Sequence, residues 1–554
     1  MLPLLVATAQ TDTPRFYFGV DLSYVNEVED CGAVYRENGA PQDPFELFQA
    51  HGATLVRARL WHNPDWTAYS TLDDVMRTFT RARDAGMDTL LDFHYSDNWA
   101  DPSRQEIPAA WAAISDDGEL AAEVYAYTAD VLRALHDAGL TPAFVQVGNE
   151  INSGLLKAST EQNWPRDARL INAGIQAVRD FAAETGTNPQ IILHVAQPQN
   201  VAWWFTQAEM YGITDFDVIG LSYYPQWSPF SIADVGAHVS YLRQRFGKEV
   251  MVMETAYGWT RDAVDETADN ILNQGVRGYP FSPDGQRRFM IDLTQALISN
   301  GALGVVYWEP AWVSTECSTR WGQGSHWENA TFFDFQNDNE VLEGIGFLNH
   351  AYWYPSLLAD GVIEPDYGEP LVSDAAGDVL DGIAGLDLTG LHAVERERAL
   401  YLALGVAGDV QQAGGSVLLY FDTTHDAQGA DQDVARRPIT VADPFKPEFR
   451  LDLSLREAVG TVADGITLNA WIDGEWQAIS FTGSLAVTVG EPSVIEIGIP
   501  RALLGDPASI HVAAVSTDRA RAHTAGDILG TDFTPASWTE AVILDAFFPL
   551  APGE

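Results

Sequence analysis

Two glutamates define the chemistry open to this sequence. Glu150 follows the apolar run Ala143–Asn149, and Glu254 closes another, Glu249–Glu254. A pair of carboxyl groups facing one bond is the apparatus for cleaving a glycosidic linkage: one protonates the leaving oxygen, and the other attacks the anomeric carbon or activates water. The surrounding residue types suit that work. Asn149 can hydrogen-bond a sugar 2-hydroxyl, Arg57 or Arg59 can hold Glu254 ionised, and burial among aromatic rings would keep a proton on Glu150 near neutrality. Asp92 and His94 close a further run, and Ser222-Tyr223-Tyr224 and Trp308-Glu309 follow two more. Spacing alone does not separate this reading from ordinary ion pairs at strand ends.

The elements that must position these groups recur in a regular order. Eight short apolar runs, Phe16–Asp21, Thr54–Leu60, Asp88–His94, Ala143–Asn149, Gln190–Ala196, Phe216–Ser222, Glu249–Glu254 and Leu303–Trp308, alternate with amphipathic stretches such as Thr71–Ala85, Gly118–Ala138, Asp167–Thr185 and Pro283–Asn300. Several stretches close on a glycine, as helix C-termini do. The alternation predicts an α/β fold, a (β/α)8 TIM barrel, whose active site lies at the C-terminal ends of the strands. An open doubly wound sheet is disfavoured, because no strand is followed by a Gly-rich phosphate turn. Near Ala359 short alternating strands take over, from Ala399–Val406 to Ile510–Thr517, and predict a smaller all-β sandwich. The expected organisation is residues 1–14 as the tail of a secretory signal, with Ala7-Thr8-Ala9 at its cleavage site, 15–358 as the barrel, and 359–554 as linker and sandwich.

Aromatic residues crowd the strand ends. Thirteen of the 17 tryptophans lie between Trp61 and Trp327, which fits a cleft that stacks sugar rings better than it fits core packing alone. Lys+Arg total 31 against 78 Asp+Glu, a net charge of −47, so the surface cannot supply the basic patch a nucleic acid needs. No apolar run is long enough to span a membrane. The histidines show no zinc spacing. Asp262, Asp265, Glu266, Asp269 and Asn270, or Asp422, Asp426, Asp431 and Asp433, offer oxygen ligands for calcium, but solvated acidic loops are the better reading in so acidic a chain.

Six strings, in order and each at a strand end, carry a family resemblance: Phe18-Gly19-Val20-Asp21-Leu22-Ser23, Val56-Arg57-Ala58-Arg59-Leu60-Trp61, Asp92-Phe93-His94-Tyr95-Ser96-Asp97-Asn98-Trp99-Ala100-Asp101-Pro102, Val147-Gly148-Asn149-Glu150-Ile151-Asn152, Gly220-Leu221-Ser222-Tyr223-Tyr224-Pro225 and Tyr307-Trp308-Glu309-Pro310-Ala311-Trp312. Together they resemble the arabinogalactan endo-β-1,4-galactanases, family 53 of the glycoside hydrolases. The resemblance implies a retaining endo-hydrolase of β-1,4-galactan that needs no cofactor, with Glu150 as acid/base and Glu254 as nucleophile. It implies that Arg57, His94, Asn149, Tyr223 and Trp308 line the reacting subsite. Arg59, Asp92, Trp99 and Trp312 join them as candidate substrate contacts. Both arginines face inward by alternation, and Arg57 is preferred for the active-site role. Bacterial members of the family often hold a structural calcium after the nucleophile strand through a D-x-D-x-H-x-N loop, a string this chain lacks there.

In such a barrel Cys31 follows strand one and Cys317 follows strand eight, which are neighbours, so a disulfide between them is expected. The sandwich resembles family-9 type carbohydrate-binding modules, with Trp471 and Trp476 as candidate stacking residues and no assigned site. A secreted or cell-surface monomer is the expected form. The rival readings are a sister barrel glycosidase acting on mannan, xylan or mixed-linkage glucan, and a non-catalytic surface glycan-binding protein.

Overall fold

A computed structural model describes residues 16–157, 161–265, 270–425, 428–434, 437–455, 465–518, 520, 522–532 and 534–550. The expected signal remnant at 1–14, Glu266, Asp269 and Asp426 lie outside them.

Eight parallel strands, β1 (Tyr17–Asp21), β2 (Leu55–Leu60), β3 (Asp88–Phe93), β4 (Phe144–Val147), β5 (Gln190–Ala196), β6 (Val218–Ser222), β7 (Glu249–Thr255) and β8 (Gly304–Tyr307), pair in sequence order. β1 pairs with both β2 and β8, which closes the barrel. Side chains of a strand alternate between faces, so every second residue enters the lumen. Leu55, Leu90, Phe144, Ile192, Val218, Met251, Met253 and Val306 fill it as one buried cluster. That cluster sets the phase of each strand. Two residues further on come Arg57, Asp92, Gln146, His194 and Gly220, so the polar groups of the mouth stand on an apolar plug.

Seven helices cover the outside: α1 (Pro44–Ala50), α2 (Leu72–Asp84), α3 (Asp117–Asp137), α4 (Trp164–Thr185), α5 (Pro198–Met210), α6 (Ile232–Phe246) and α7 (Pro283–Ser299). Thr71, Asp116, Asn163, Ser231 and Ser282 cap α2, α3, α4, α6 and α7 through their side chains. After β8 a 3-10 turn, Glu343–Phe347, stands in the eighth position.

The second domain has two antiparallel sheets, beside a short parallel pair formed by Ile439–Val441 and Val542–Leu544. One orders β9 (Leu388–Arg396), β10 (Ala399–Val406), β16 (Ser493–Pro500) and β15 (Ser484–Thr488). The other orders β14 (Glu475–Ile479), β13 (Ile466–Ile472), β12 (Phe449–Ser454), β11 (Ser416–Asp422) and β17 (Ile510–Thr517). Inward-facing Leu402, Leu404, Leu419, Phe421, Leu451, Leu468, Ile495 and Ile497 form the core between them. Ala233 and Ala237 of α6 belong to that same apolar cluster, so the sandwich packs on the barrel flank.

Hydrogen bonds fix this docking. Gly465 N–H donates to Asp234 Oδ1 at 2.9 Å and Ser299 Oγ to the Thr482 carbonyl at 2.7 Å. The Asn300 side chain, at the end of α7, donates to the Gly483 carbonyl at 3.0 Å and accepts from Leu485 N–H at 3.1 Å. Asn300 is 3 % exposed, so its removal strands two backbone groups away from water. Asn300→Ala is expected to destabilise the chain by about 2–4 kcal/mol. Thermal and urea unfolding measure this, and an unchanged midpoint would show the docking to be incidental.

Candidate active site

At the floor of the mouth lies Arg57, 1 % exposed. Its Nη1 donates to Asp21 Oδ2 at 2.7 Å, and its Nη2 reaches Asp92 Oδ2 at 2.8 Å, Glu254 Oε1 at 2.9 Å and Asn149 Oδ1 at 2.9 Å. Burial opposes its charge, but the carboxylates of Asp92, Glu254 and Asp21 outweigh that and hold the guanidinium firmly protonated. In return Arg57 overcomes the burial of Asp92 and holds its carboxyl below the usual range. The His94 tautomer follows from its partners. Nδ1 accepts from Ala100 N–H at 3.0 Å, so Nε2 carries the proton toward Asp92 Oδ2 at 3.1 Å.

Glu150 reaches the same mouth by a backbone that few residues adopt. Gly148 has φ +85°, and a Cβ there would lie 2.6 Å from Ile151 Cγ2, which requires glycine. Glu150 itself is left-handed, with φ 44° and ψ 53°. Non-glycine residues in that region store strain and cluster at functional sites. Oε1 of Glu150 lies 2.5 Å from Ser222 Oγ, Ser222 Oγ lies 2.8 Å from His194 Nε2, and His194 Nδ1 lies 3.0 Å from Asn149 Oδ1. His194 is held neutral, chiefly by burial and then by the charge of Arg57. Burial pushes the Glu150 carboxyl up to about 7, and Ser222 pulls against it.

Glu254 owes its direction to a β-bulge. Gly220 pairs with Met251 and Leu221 with Val252, but Ser222 pairs with Glu254, so Met253 is the extra residue. With Met251 and Met253 in the lumen, unbroken alternation would send Glu254 outward. The bulge turns it back into the mouth, as such irregularities do beside functional sites. Tyr224 OH donates to Glu254 Oε2 at 3.1 Å. Burial pushes the Glu254 carboxyl upward, the Arg57 charge draws it back, and Glu150 pushes it up again. Arg57 and a phenol touch Glu254, whereas among the described residues the one side-chain donor on Glu150 is the Ser222 hydroxyl. The first negative charge of the pair therefore settles on Glu254, and Glu150 keeps the proton. Single ligand atoms of Glu150, His194 and Glu254 all lie within 4.8 Å of one another.

The structure separates the two arginines. Arg59 Nη1 pairs with Glu309 Oε1 at 2.5 Å, and its guanidinium lies 4.4 Å from the Trp99 ring centre and 4.1 Å from that of Tyr24. It props the aromatic wall and does not touch Glu254. Of the tyrosines, Tyr224 faces the carboxylates. Tyr223, expected in the subsite, points outward and donates to the Phe230 carbonyl at 2.9 Å. The phase set by Val218, Gly220 and Ser222 explains this, because the next inward position is 224.

An aromatic row crosses the mouth: Trp66, Trp61, Trp99, Trp308, Trp327, Tyr224 and Trp227, each ring centre 4.6–5.8 Å from the next. Trp312 stands behind it, with its ring stacked 3.9 Å from Tyr24. Trp204 is buried on α5 with Nε1 on the Ile151 carbonyl, and Trp203 is exposed on the same helix, so these two stand outside the row. Cys31 and Cys317 form a disulfide that ties the loops after β1 and β8. In the loop after β7, Ser314 Oγ donates to Asp265 Oδ2 at 2.6 Å and Gln336 Nε2 to Asp262 Oδ2 at 3.0 Å. These described residues make no common calcium cradle.

Residues 17–348 match the family described as Glycosyl hydrolase family 53. The chain belongs to that family. Its barrel is 50% identical over 358 residues to the Arabinogalactan endo-beta-1,4-galactanase of Cellvibrio japonicus, covering 64% of this chain and 95% of that protein. It is 35% identical over 323 residues to the Endo-beta-1,4-galactanase of Bacillus subtilis, covering 56% of this chain and 73% of that one. Among solved structures, the Ignisphaera aggregans GH53 catalytic domain superposes with a TM-score of 0.56 at 31% identity, over 63% of this chain and all of that one. A structure from a study of two fungal beta-1,4-galactanases gives 0.53 at 30% identity, over 60% of this chain and 99% of that one.

In this family 53 barrel Asp21, Gln146, His194, Ser222 and Tyr224 also line the site; Ser222 and Tyr224 stand at a strand end in the sequence, whereas Gln146 and His194 lie inside apolar runs that hide them. Alternation finds them: Asp21 counts by twos from Tyr17, Gln146 from Phe144, His194 from Ile192, and Ser222 and Tyr224 from Val218. Replacing Arg57 by Met leaves Asp21, Asp92 and Glu254 without their counter-charge. The expected loss is about 3–5 kcal/mol at neutral pH. The deficit should shrink as acid protonates Glu254 and then Asp92, and urea unfolding at several pH values tests both statements.

Proposed function

We propose that the chain is a retaining endo-hydrolase of β-1,4-galactan, with Glu254 as nucleophile and Glu150 as acid and base. The observation that carries the mechanism is the approach of the Glu150 and Glu254 oxygens to within 4.8 Å. Retaining glycosidases hold their carboxyls about 5–5.5 Å apart, whereas inverting ones leave roughly 6.5–9.5 Å for a water. The substrate follows from the relatives, which act on galactan at up to 50% identity across the whole barrel. The half-buried Trp66, Trp99 and Trp308 and the exposed Trp227 offer stacking surface for sugar rings along the mouth, which suits attack within a chain.

In the first step Glu254 attacks the anomeric carbon while Glu150 passes its proton to the departing glycosidic oxygen, leaving a galactosyl ester on Glu254. In the second, Glu150 takes a proton from water, whose oxygen displaces Glu254 and restores the starting state. Asn149 spends one amide hydrogen on the Ala100 carbonyl at 2.8 Å, and the other is available for the sugar 2-hydroxyl. The disulfide suits an oxidising compartment, so we place the enzyme outside the cytosol, acting as a monomer. Among the described residues no helix is long and apolar enough to cross a membrane.

Incubation with unbranched β-1,4-galactan beside mannan, xylan and mixed-linkage glucan should release short galacto-oligosaccharides from galactan alone, with the β anomer formed first by proton NMR. Turnover of another glycan instead, or galactan binding without turnover, would overturn the assignment. The pH profile is a separate test. Activity needs a protonated Glu150, so kcat/KM should fall as pH rises through about 7. The Ser222 hydroxyl favours the charged form of Glu150, so Ser222→Ala should move that basic limb to higher pH. An unmoved limb would remove Glu150 as its source.

A further inference from the structure

Outside the barrel, three carboxylates converge at one edge of the sandwich, and a fourth, Asp387, feels their charge. Asp374 and Asp378 lie in the approach to β9, Asp387 lies immediately before β9, and Asp527 lies in the short strand Asp527–Ile528 that pairs with β17. One ligand oxygen each of Asp374, Asp378 and Asp527 fall within 4.8 Å of one another. A cluster of acids is common on so acidic a chain, so the decisive feature is how these acids are partnered.

Asp527 is fully buried. Its Oδ2 accepts from Leu388 N–H at 2.7 Å, and its Oδ1 is buried with no partner. Asp387 is 3 % exposed and repeats the pattern: Oδ2 accepts from Gly377 N–H at 2.7 Å, and Oδ1 is buried and unpartnered. Both carboxylate oxygens of Asp378 are buried without a partner. Asp374 accepts from Ala375 N–H and Gly530 N–H. Among the described residues none of the four forms an ion pair. An unpaired buried carboxylate costs several kcal/mol, and four sharing one pocket repel each other besides. A fold tolerates that arrangement when a cation of higher charge occupies the centre.

We propose that Asp374, Asp378, Asp387 and Asp527 bind a calcium ion that fastens the approach to β9 onto the edge of the second sheet. The donor chemistry selects the ion. All donors are oxygen, with no histidine or cysteine, which favours a hard cation over zinc or copper. Calcium takes six to eight oxygens in irregular geometry and tolerates several carboxylates at once, whereas magnesium demands a tighter octahedron and retains water.

The test uses the full chain, stripped with EGTA and returned to calcium or magnesium, with bound metal counted by mass spectrometry and unfolding followed by heat. Calcium should raise the unfolding temperature of the stripped protein, and magnesium at the same concentration should raise it much less. Asp378→Asn, at a half-buried position, should bind one calcium fewer per chain than the parent and lose the calcium-dependent rise. Asp527→Asn should do the same, and with the repulsion relieved each variant should melt at or above the stripped parent. Calcium binding that is equal in parent and both variants would overturn the site, as would a stripped parent that takes up no calcium. Galactan hydrolysis measured alongside is independent of this outcome.

Discussion

The contact on which the site depends is the Arg57 guanidinium, buried against Asp21, Asp92 and Glu254. One positive charge cannot neutralise three negative ones, so the remainder is spread over hydrogen bonds from Gln146, His94, Ser23 and Tyr224. Such a cluster is a poor source of stability, because desolvating the charges offsets most of their attraction. What it supplies is a fixed asymmetry. Glu254 faces a cation and a phenol, Glu150 faces a serine backed by a neutral histidine, and two identical side chains acquire different partners although burial pushes both upward. In the proposed mechanism this difference in environment is what separates the acid from the nucleophile.

The barrel provides the frame for that asymmetry, and irregular backbone provides the aim. Leu55, Ile192 and Val306 pack the lumen below and fix the phase of β2, β5 and β8. The functional groups above then depart from regular geometry where they must: a bulge turns Glu254 inward, and a left-handed Glu150 follows Gly148. Glu309, which holds Arg59 under the tryptophan row, is also left-handed, with φ 47°. Regular strands carry the load, and strained exits from them point the side chains.

Much of this was legible in the sequence because period-two alternation and polar strand ends are local signals. The runs Gln190–Ala196 and Ala399–Val406 coincide with their strands. The two glutamates stood out because each closes such a run. Tyr223, which the resemblance implied, and Tyr224 carry the same side chain, so residue type does not tell them apart; only the count by twos from Val218 brings Tyr224 into the mouth. The bulge at Met253 leaves no trace in residue type, and by alternation Glu254 would have faced the helices. Nor could charge counting separate Arg57 from Arg59, since both enter the lumen and only tertiary contact gives one to Glu254 and the other to Glu309. In the sandwich, β9 ends in the charged residues Glu395 and Arg396, which hides its second half, and β15 is only five residues long.

The sandwich is built onto the barrel, through an apolar patch from α6 and a two-way amide at Asn300, and its Trp471 and Trp476 rings meet edge to face with centres 5.5 Å apart. The chemistry stays with the barrel. Its central claim is that Arg57 places the negative charge, and hence the covalent bond, on Glu254. An activated 2-deoxy-2-fluoro galactobioside should trap that intermediate, and peptide mapping by mass spectrometry would find the sugar esterified to Glu254. An ester on Glu150, or turnover of the probe to an inverted product with no adduct, would contradict the account.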